Sequence, residues 1–393
     1  MFSGVDLTDT AELAAYRSKV RAWLEANKTH APTQKIGVHV AGIEPWRAWQ
    51  RRLAEAGLVG VTWPREHGGQ SGSMIEQAVV NSELDRAGVP GALDIIGVGN
   101  LAPTVIAHGT EAQKERYLRP LLRGDEIWCQ LFSEPAAGSD LAGIRTRATK
   151  TQTGWRINGQ KVWTTNAQHA AFGLLLTRTD VDVPKHRGLT MFIVPMDAPG
   201  VMVRPLRQLT GVAAFNEVFL DDVELDDGLR VGEPGEGWTV ALTCLMYERL
   251  NLLTMLDQLG WQPEQFVQPI KENLQRADLR QRLAGVIVDM LAVRYSGYRA
   301  LSKVAHGELP GPEAGLGKIT IVDAATRGAQ VVAEALGPSS LDGDWGFLLG
   351  DMQGLRSGGG TDEIVLTTIG ERVLGLPPEP RVDKTAPFRE LAS

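Results

Sequence analysis

Two short segments carry the residue types that could hold a reactive ring: WCQLFSEPAAGSD at residues 128–140 and GQKVWTTN at residues 159–166. The first sets Phe132, Ser133, Gly138 and Ser139 in a loop of small residues, and the second ends a strand-like stretch on Trp163 and Thr165. A flavin needs donors at the edge that becomes negative on reduction, an apolar plane against its ring, and backbone amides for its pyrophosphate. Singly, Ser133 and Ser139 read as surface-turn residues and Trp163 as a core aromatic; in this order they supply all three requirements. A further candidate is Glu248, followed by Arg249 in LMYERL (residues 245–250). On a helix its neighbours at three and four residues are Cys244, Leu245, Asn251 and Leu252, with Ala241 and Met255 a turn further away. A carboxylate in that mostly apolar surround is expected to have a raised pKa, in the range useful to a general base. The bland alternative is a structural ion pair, for which Arg249 is a poor partner because adjacent helical residues point about 100° apart.

In order and at this spacing, the two segments resemble the flavin-contacting signature of the acyl-CoA dehydrogenases. The resemblance extends to GTEAQK at 109–114 with Tyr117, Leu118 and Pro120, to NEVF at 216–219, to Gly232 with Gly237 and Trp238, and to GGTDEI at 359–364 and GERVLGLP at 370–377. It implies a mixed α and β fold with an N-terminal helical domain (1–125), a central β-barrel domain (126–232) and a C-terminal four-helix bundle (233–393). It also implies tightly bound FAD, with Ser133 at the pyrimidine edge, Ser139 near the pyrophosphate, Trp163 beside the ring and Thr165 near N5. Phe132, Gly138, Thr361 and Glu363 complete the implied cofactor set, and Ser139 and Arg249 the substrate contacts. The implied reaction is α,β-dehydrogenation of an acyl-CoA thioester, in which a carboxylate takes the α-proton and N5 the β-hydride, with an electron-transfer flavoprotein as acceptor.

The chain departs from the commonest family pattern in two places. Many members carry the base directly before the Gly-Thr of the C-terminal signature, where this sequence has Gly359; a second branch carries it on a helix just before an arginine, which Glu248-Arg249 fits. Gly359 would then clear space beside the thioester while its N–H polarises the carbonyl. The second departure is in the motifs that receive the adenosine half of FAD across a subunit interface. Residues 268–276 and 336–340 keep only fragments of them, with Gln281 or Arg276 as possible stand-ins. That erosion is in the style of α2β2 assemblies with a homologous subunit, so both a homo-oligomer and a heterotetramer stay open. Competing functions are a non-catalytic or base-poor flavoprotein subunit and a flavin monooxygenase of the same fold; Glu248 counts against the monooxygenase, and a colourless homo-oligomer would favour the structural subunit.

The elements that must position these groups follow from periodicity. Helical spacing covers 11–25, capped by Thr8 or Asp9, then 46–56 through Trp46, Trp49 and Leu53, then 75–86. The run GVGNLA at 97–102 imitates a dinucleotide fingerprint, but no apolar strand leads into it, so it reads as a helix start. Alternation then predicts strands at 145–152 and 155–165, with Asn158-Gly159 offering a tight hairpin turn, and further strands are expected at 172–179, 189–195 and 216–225, separated by turn-rich segments. Long helices are expected at 238–258, 279–306 and 319–336, with a Pro- and Gly-rich loop over 309–317. Composition agrees with a globular chain: 393 residues, 43% hydrophobic, 22% charged. A net charge of −7 with scattered basic residues argues against nucleic acid. Two distant cysteines suggest neither disulfides nor zinc, and seven singly spread histidines suggest no metal. The polar N-terminus and the lack of long apolar runs lead to the expectation of a cytoplasmic protein without a membrane span.

Overall fold

The computed structural model describes residues 9–33, 42–254, 263–306, 308, 311–380 and 382–391. Thr8, Met255 and residues 255–258 of the helix expected at 238–258 lie outside these, as do 309–310 and the Leu252 side chain. In chain order the helices and strands are α1 (Ala11–Asn27), α2 (Glu44–Glu55), α3 (Met74–Ala87), α4 (Ala102–His108) and α5 (Glu111–Leu122), then β1 (Trp128–Leu131), β2 (Arg147–Lys150), β3 (Gly154–Thr165), β4 (Phe172–Arg178), β5 (Leu189–Pro195), β6 (Val201–Leu206), β7 (Phe215–Asp226) and β8 (Arg230–Val231). The remaining helices are α6 (Gly237–Thr254), α7 (Pro263–Val267), α8 (Ala277–Ala305), α9 (Leu316–Leu336), α10 (Asp344–Leu355) and α11 (Asp362–Arg372). Two compact units emerge, one of Met1–Glu25, Ser73–Gly88 and Leu252–Pro378, the other of Ala26–Gly72, Val89–Asn251 and Glu379–Ser393.

The second unit is built on one eight-stranded sheet with the path β6-β7-β3-β2-β4-β5-β8, to which β1 adds in parallel beside β4. Strands β4 and β5 are buried nearly throughout, which is why they read as continuous apolar runs rather than alternating ones. In α2, Trp46, Trp49 and Leu53 are buried at the expected spacing, and the buried Gln50 amide donates to the Leu121 and Leu122 carbonyls at the end of α5. Thr110 and Gln113 form a capping box that starts α5. One expectation fails: Asn158-Gly159 is no hairpin turn. Gly159 lies inside the continuous β3, at a register slip against β7, and the β2–β3 connection falls at 151–153 instead. Its φ of 156° brings it so close to the neighbouring strand that a Cβ would meet Thr146 Oγ1 at 2.5 Å, so glycine serves close approach here rather than turning. The glycine run at 97–101 is helical, as a single π-turn leading into α4.

In the first unit α8, α9 and α10 share a core of Leu283, Val286, Met290 and Val293 against Ile321, Val322, Ala325, Val332 and Met352. Glu83 on α3, its side chain 1% exposed, takes Arg21 of α1 at 2.7 Å and Arg86 at 2.7 Å. Ser73 and Glu76 cap α3 reciprocally and Gly88 ends it in the left-handed conformation. Among the described residues no helix is long and apolar enough to cross a membrane.

Candidate active site

After β1 the chain passes through Phe132 and Ser133 into a tight turn at Pro135 and Ala136, closed by Glu134 and Ala137, and this segment is held from inside the sheet. Lys161 on β3 has no exposed surface; its ammonium donates to the Phe132 carbonyl at 2.9 Å and to Glu134 Oε1 at 2.8 Å. The Glu134 carboxylate also accepts the backbone N–H groups of Arg145 (2.6 Å) and Thr146 (2.8 Å). Val162 N donates to the Ser133 carbonyl at 2.9 Å, so Ser133 is fixed through its own backbone and both neighbours. Burial pushes the Lys161 ammonium down to about 8, with Glu134 opposing it. Burial would raise the Glu134 carboxyl, but Lys161 and the two amides outweigh it and hold the group below the ordinary carboxylate value. Gly138 and Ser139 are exposed, and next to them Asp140 is tied to Lys185 at 2.7 Å.

A second irregularity sits at the end of β3. The register against β7 slips between Lys161 and Thr164, and Trp163 takes a left-handed φ of 59° with its indole 61% exposed, edge-on to Phe215 at 6.0 Å. Holding a bulky residue there costs about 1–3 kcal/mol. The flanking residues sustain it: Lys161 and Thr164 are buried, Asn216 Nδ2 donates to the Thr164 carbonyl at 3.0 Å, and Asn166 N donates to Ala214 O at 2.9 Å. Thr165, next in line, is half-buried. The buried Thr164 Oγ1 and Asn216 Oδ1 have no hydrogen-bond partner among the described residues.

Glu248 lies on α6 at the middle of a polar stripe, Cys244, Glu248, Asn251, spaced at four and three residues. Its surround is therefore less apolar than the sequence neighbours imply. Gln130 of β1 hydrogen-bonds the Glu248 carboxyl. The buried Cys244 thiol donates to Gln130 Oε1 at 3.6 Å, and Asn251 Nδ2 donates to Asn100 Oδ1 at 2.8 Å in the π-turn. Gly99 in the same turn is required by that contact, since a Cβ there would lie 1.8 Å from Asn251 Nδ2. Burial raises the Glu248 pKa from the ordinary carboxylate value; Gln130, and more weakly the charge of the exposed Arg249, pull it back down.

Gly359, Thr361 and Glu363 belong to the other unit. Gly359 and Gly360 have φ of 67° and 93°, conformations open to glycine at no steric cost. Thr361 Oγ1 accepts Ile364 N at 3.2 Å and so caps α11, while Glu363 is exposed. Of the two stand-ins, Arg276 is engaged by Asp278 (2.7 Å) and Glu334 (2.8 Å). Gln281 borders a cleft of about 370 Å³ between α8 and α9, with Arg282, Gly285, Arg327, Gln330 and Val331.

Comparison with known proteins then decides the family. The N-terminal, middle and C-terminal domain models of acyl-CoA dehydrogenases match residues 10–125, 129–223 and 235–374. The chain belongs to the acyl-CoA dehydrogenase family. Among its relatives, acyl-CoA dehydrogenase IpdE1 of Mycobacterium tuberculosis is 36% identical over 94% of this chain and 99% of its own length. Acyl-CoA dehydrogenase FadE34 of the same organism is 38% identical over 95% of the chain, which spans half of that longer relative. Among solved structures, the Tcur3481–Tcur3483 steroid acyl-CoA dehydrogenase superposes with a TM-score of 0.84 at 29% identity, covering 95% of this chain and 100% of that one. The ChsE4–ChsE5 complex of Mycobacterium tuberculosis gives 0.80 at 26%, covering 95% and 100%. As an acyl-CoA dehydrogenase the chain is an oxidoreductase of an FAD-binding family.

Sequence reasoning about this acyl-CoA dehydrogenase assigned no role to Lys161, Glu134, Gln130 or Asp94. Lys161 and Glu134 stood inside the quoted motifs, and a lysine at an inward position of an alternating strand was the available signal. Asp94 is buried and accepts Trp128 N at 2.7 Å and Gly97 N at 2.8 Å, with burial pushing it up to about 7. Nothing in its local sequence marks it.

Proposed function

We propose that the protein dehydrogenates an acyl-CoA thioester between its α and β carbons, with Glu248 as the base. The observation that carries this reading is the Glu248 carboxyl itself: buried enough for its pKa to be raised, yet joined through Gln130 to the strand that runs directly into Ser133. A base must sit within hydrogen-bond reach of the proton it takes and have a pKa near the working pH, and a raised carboxylate approaches that condition.

The donor set suits FAD. The uncovered Trp163 indole offers an apolar plane, the Ser133 and Thr165 hydroxyls offer donors beside it, and the exposed Gly138–Ser139 backbone can face phosphate oxygens. Phe132 would back the ring from the buried side. When bound, FAD supplies the hydride acceptor at N5 for the β-hydrogen. Glu248 accepts the α-proton on a carboxylate oxygen. Ser139 and Arg249 are the proposed substrate contacts.

The names of the 29% and 26% identical structures, a steroid acyl-CoA dehydrogenase and a complex of two chains, support a bulky acyl group and a heteromeric assembly with a homologous subunit. Gln281 at the α8–α9 cleft is the better candidate than the ion-paired Arg276 for receiving an adenosine from such a partner. An electron-transfer flavoprotein would reoxidise the enzyme. The test is anaerobic bleaching of the purified yellow protein by butyryl-CoA, isovaleryl-CoA and a steroid-side-chain acyl-CoA, repeated with Glu248→Gln. Bleaching by at least one thioester in the wild type, with FAD retained and bleaching lost in the variant, is expected. Intact bleaching in Glu248→Gln removes the base assignment.

A further inference from the structure

The polar stripe on α6 does more than carry a carboxylate. Cys244, Glu248 and Asn251 lie on one face, and each meets a specific polar group from another element: Gln130 on β1 for the first two, Asn100 in the π-turn for the third. The Thr104 hydroxyl, which donates to Asn100 O at 2.7 Å, approaches the Cys244 thiol from α4. A primary amide beside a carboxylate can present either its oxygen, which repels, or its N–H, which attracts. With Gln130 Oε1 accepting the Cys244 thiol, the amide N–H is left to Glu248.

We propose that Gln130 is the positioning residue for Glu248, holding the carboxylate through its amide N–H, and that the buried Cys244 thiol sets which way that amide faces. Any consequence for catalysis rests on Glu248 being the base; the arrangement itself does not. Among the described residues the groups that could otherwise govern Glu248 are few. On its own helix these are Arg249, exposed and acting through charge, and Cys244, whose thiol is pushed far above its ordinary value by burial. From α4, His108 bonds Thr243 Oγ1 at 2.8 Å and couples to Glu236, while Asp94 is spent on the amides of Trp128 and Gly97. Asn100 and Thr104 are neutral. Among the described residues the one neutral donor on the carboxylate is therefore Gln130, and its bond favours the ionised form.

The experiment follows the Glu248 carboxyl directly, by infrared difference titration of the FAD-bound protein with Glu248→Gln as the assignment control, alongside the pH dependence of acyl-CoA bleaching. Removing a hydrogen bond to a charged group in Gln130→Leu should raise the carboxyl pKa by about one pH unit and shift the acid limb of kcat/KM by the same amount. Cys244→Ala should move it in the same direction by less, and Cys244→Ser, which keeps a donor, should restore it. Should Gln130→Leu not fold, the unbranched Gln130→Met carries the same expectation. A carboxyl titration unchanged in the Gln130 variant overturns the proposal. A shifted titration with bleaching indifferent to both Gln130 and Glu248 keeps the positioning and instead removes the base reading.

Discussion

The Lys161 ammonium and the Glu134 carboxylate, 2.8 Å apart and both buried, form a cross-brace between β3 and the loop that follows β1. Each half completes the other: Lys161 also takes the Phe132 carbonyl, and Glu134 also takes two backbone amides at Arg145 and Thr146. The brace surrounds Ser133 without using it.

Breaking that pair from one side strands a charge in the sheet. Lys161→Met should therefore cost about 3–5 kcal/mol, the range for removing one partner of a buried ion pair, and release FAD from what remains folded. Adding Glu134→Gln to it should recover part of the loss, because the uncompensated carboxylate is gone. Thermal unfolding and flavin content after gel filtration check both. A Lys161→Met protein as stable as wild type, with full flavin, contradicts the brace.

How much of this was legible beforehand varies with the range of the physics involved. Helix α2 and strand β5 were readable because their residue patterns are local. The Asn158-Gly159 pair misled because a glycine that turns a chain and one that admits a neighbouring strand look alike in sequence; the contact with Thr146 decides, and it lies thirteen residues before Gly159. The same holds for Glu248. Its helical neighbours were read correctly, yet the partner that matters, Gln130, comes from a strand more than a hundred residues earlier. Gly359 was read as a clearance for substrate, whereas its φ of 67° is a separate and sufficient reason for glycine.

The acid side of the stability profile should belong largely to Glu83. Burial alone would raise its carboxyl, but Arg21 and Arg86 outweigh that and hold it at about 2, against an ordinary 4.5. With a depressed folded-state pKa, the unfolded chain binds the proton first, so the stability contributed by this group is complete above pH 4.5 and falls as pH drops toward about 2. In Glu83→Gln that contribution is absent at neutral pH, and the fall over this window should flatten. Urea midpoints measured between pH 3 and pH 7, about four units apart, would show whether the two proteins converge at the acid end; parallel profiles would assign the acid loss elsewhere.

At Gly359 the backbone predicts an order of substitutions. An L-residue in the left-handed conformation costs roughly 1–2 kcal/mol, and asparagine tolerates it better than alanine. Stability should thus fall from wild type through Gly359→Asn to Gly359→Ala, read as thermal midpoints. If alanine proved as stable as glycine, the glycine would be there for the site rather than for the chain.

Trp163 poses the opposite sign for fold and function. Its left-handed backbone is a liability for a bulky residue, and its indole, 61% exposed, repays little of that by burial within the unit. Trp163→Gly should consequently leave thermal stability of the flavin-free protein unchanged or higher, by up to about 1 kcal/mol, since the strain is relieved at a small loss of packing. FAD binding should move the other way. An aromatic plane contributes stacking worth about 0.5–1.5 kcal/mol beyond its buried area, so the flavin Kd should rise roughly tenfold or more in Trp163→Gly and far less in Trp163→Phe. The measurement is flavin fluorescence titration of the apoprotein beside its unfolding curve. A glycine variant that loses stability and keeps its flavin affinity would mean that Trp163 packs rather than binds, and that the bulge at the end of β3 exists for the sheet alone.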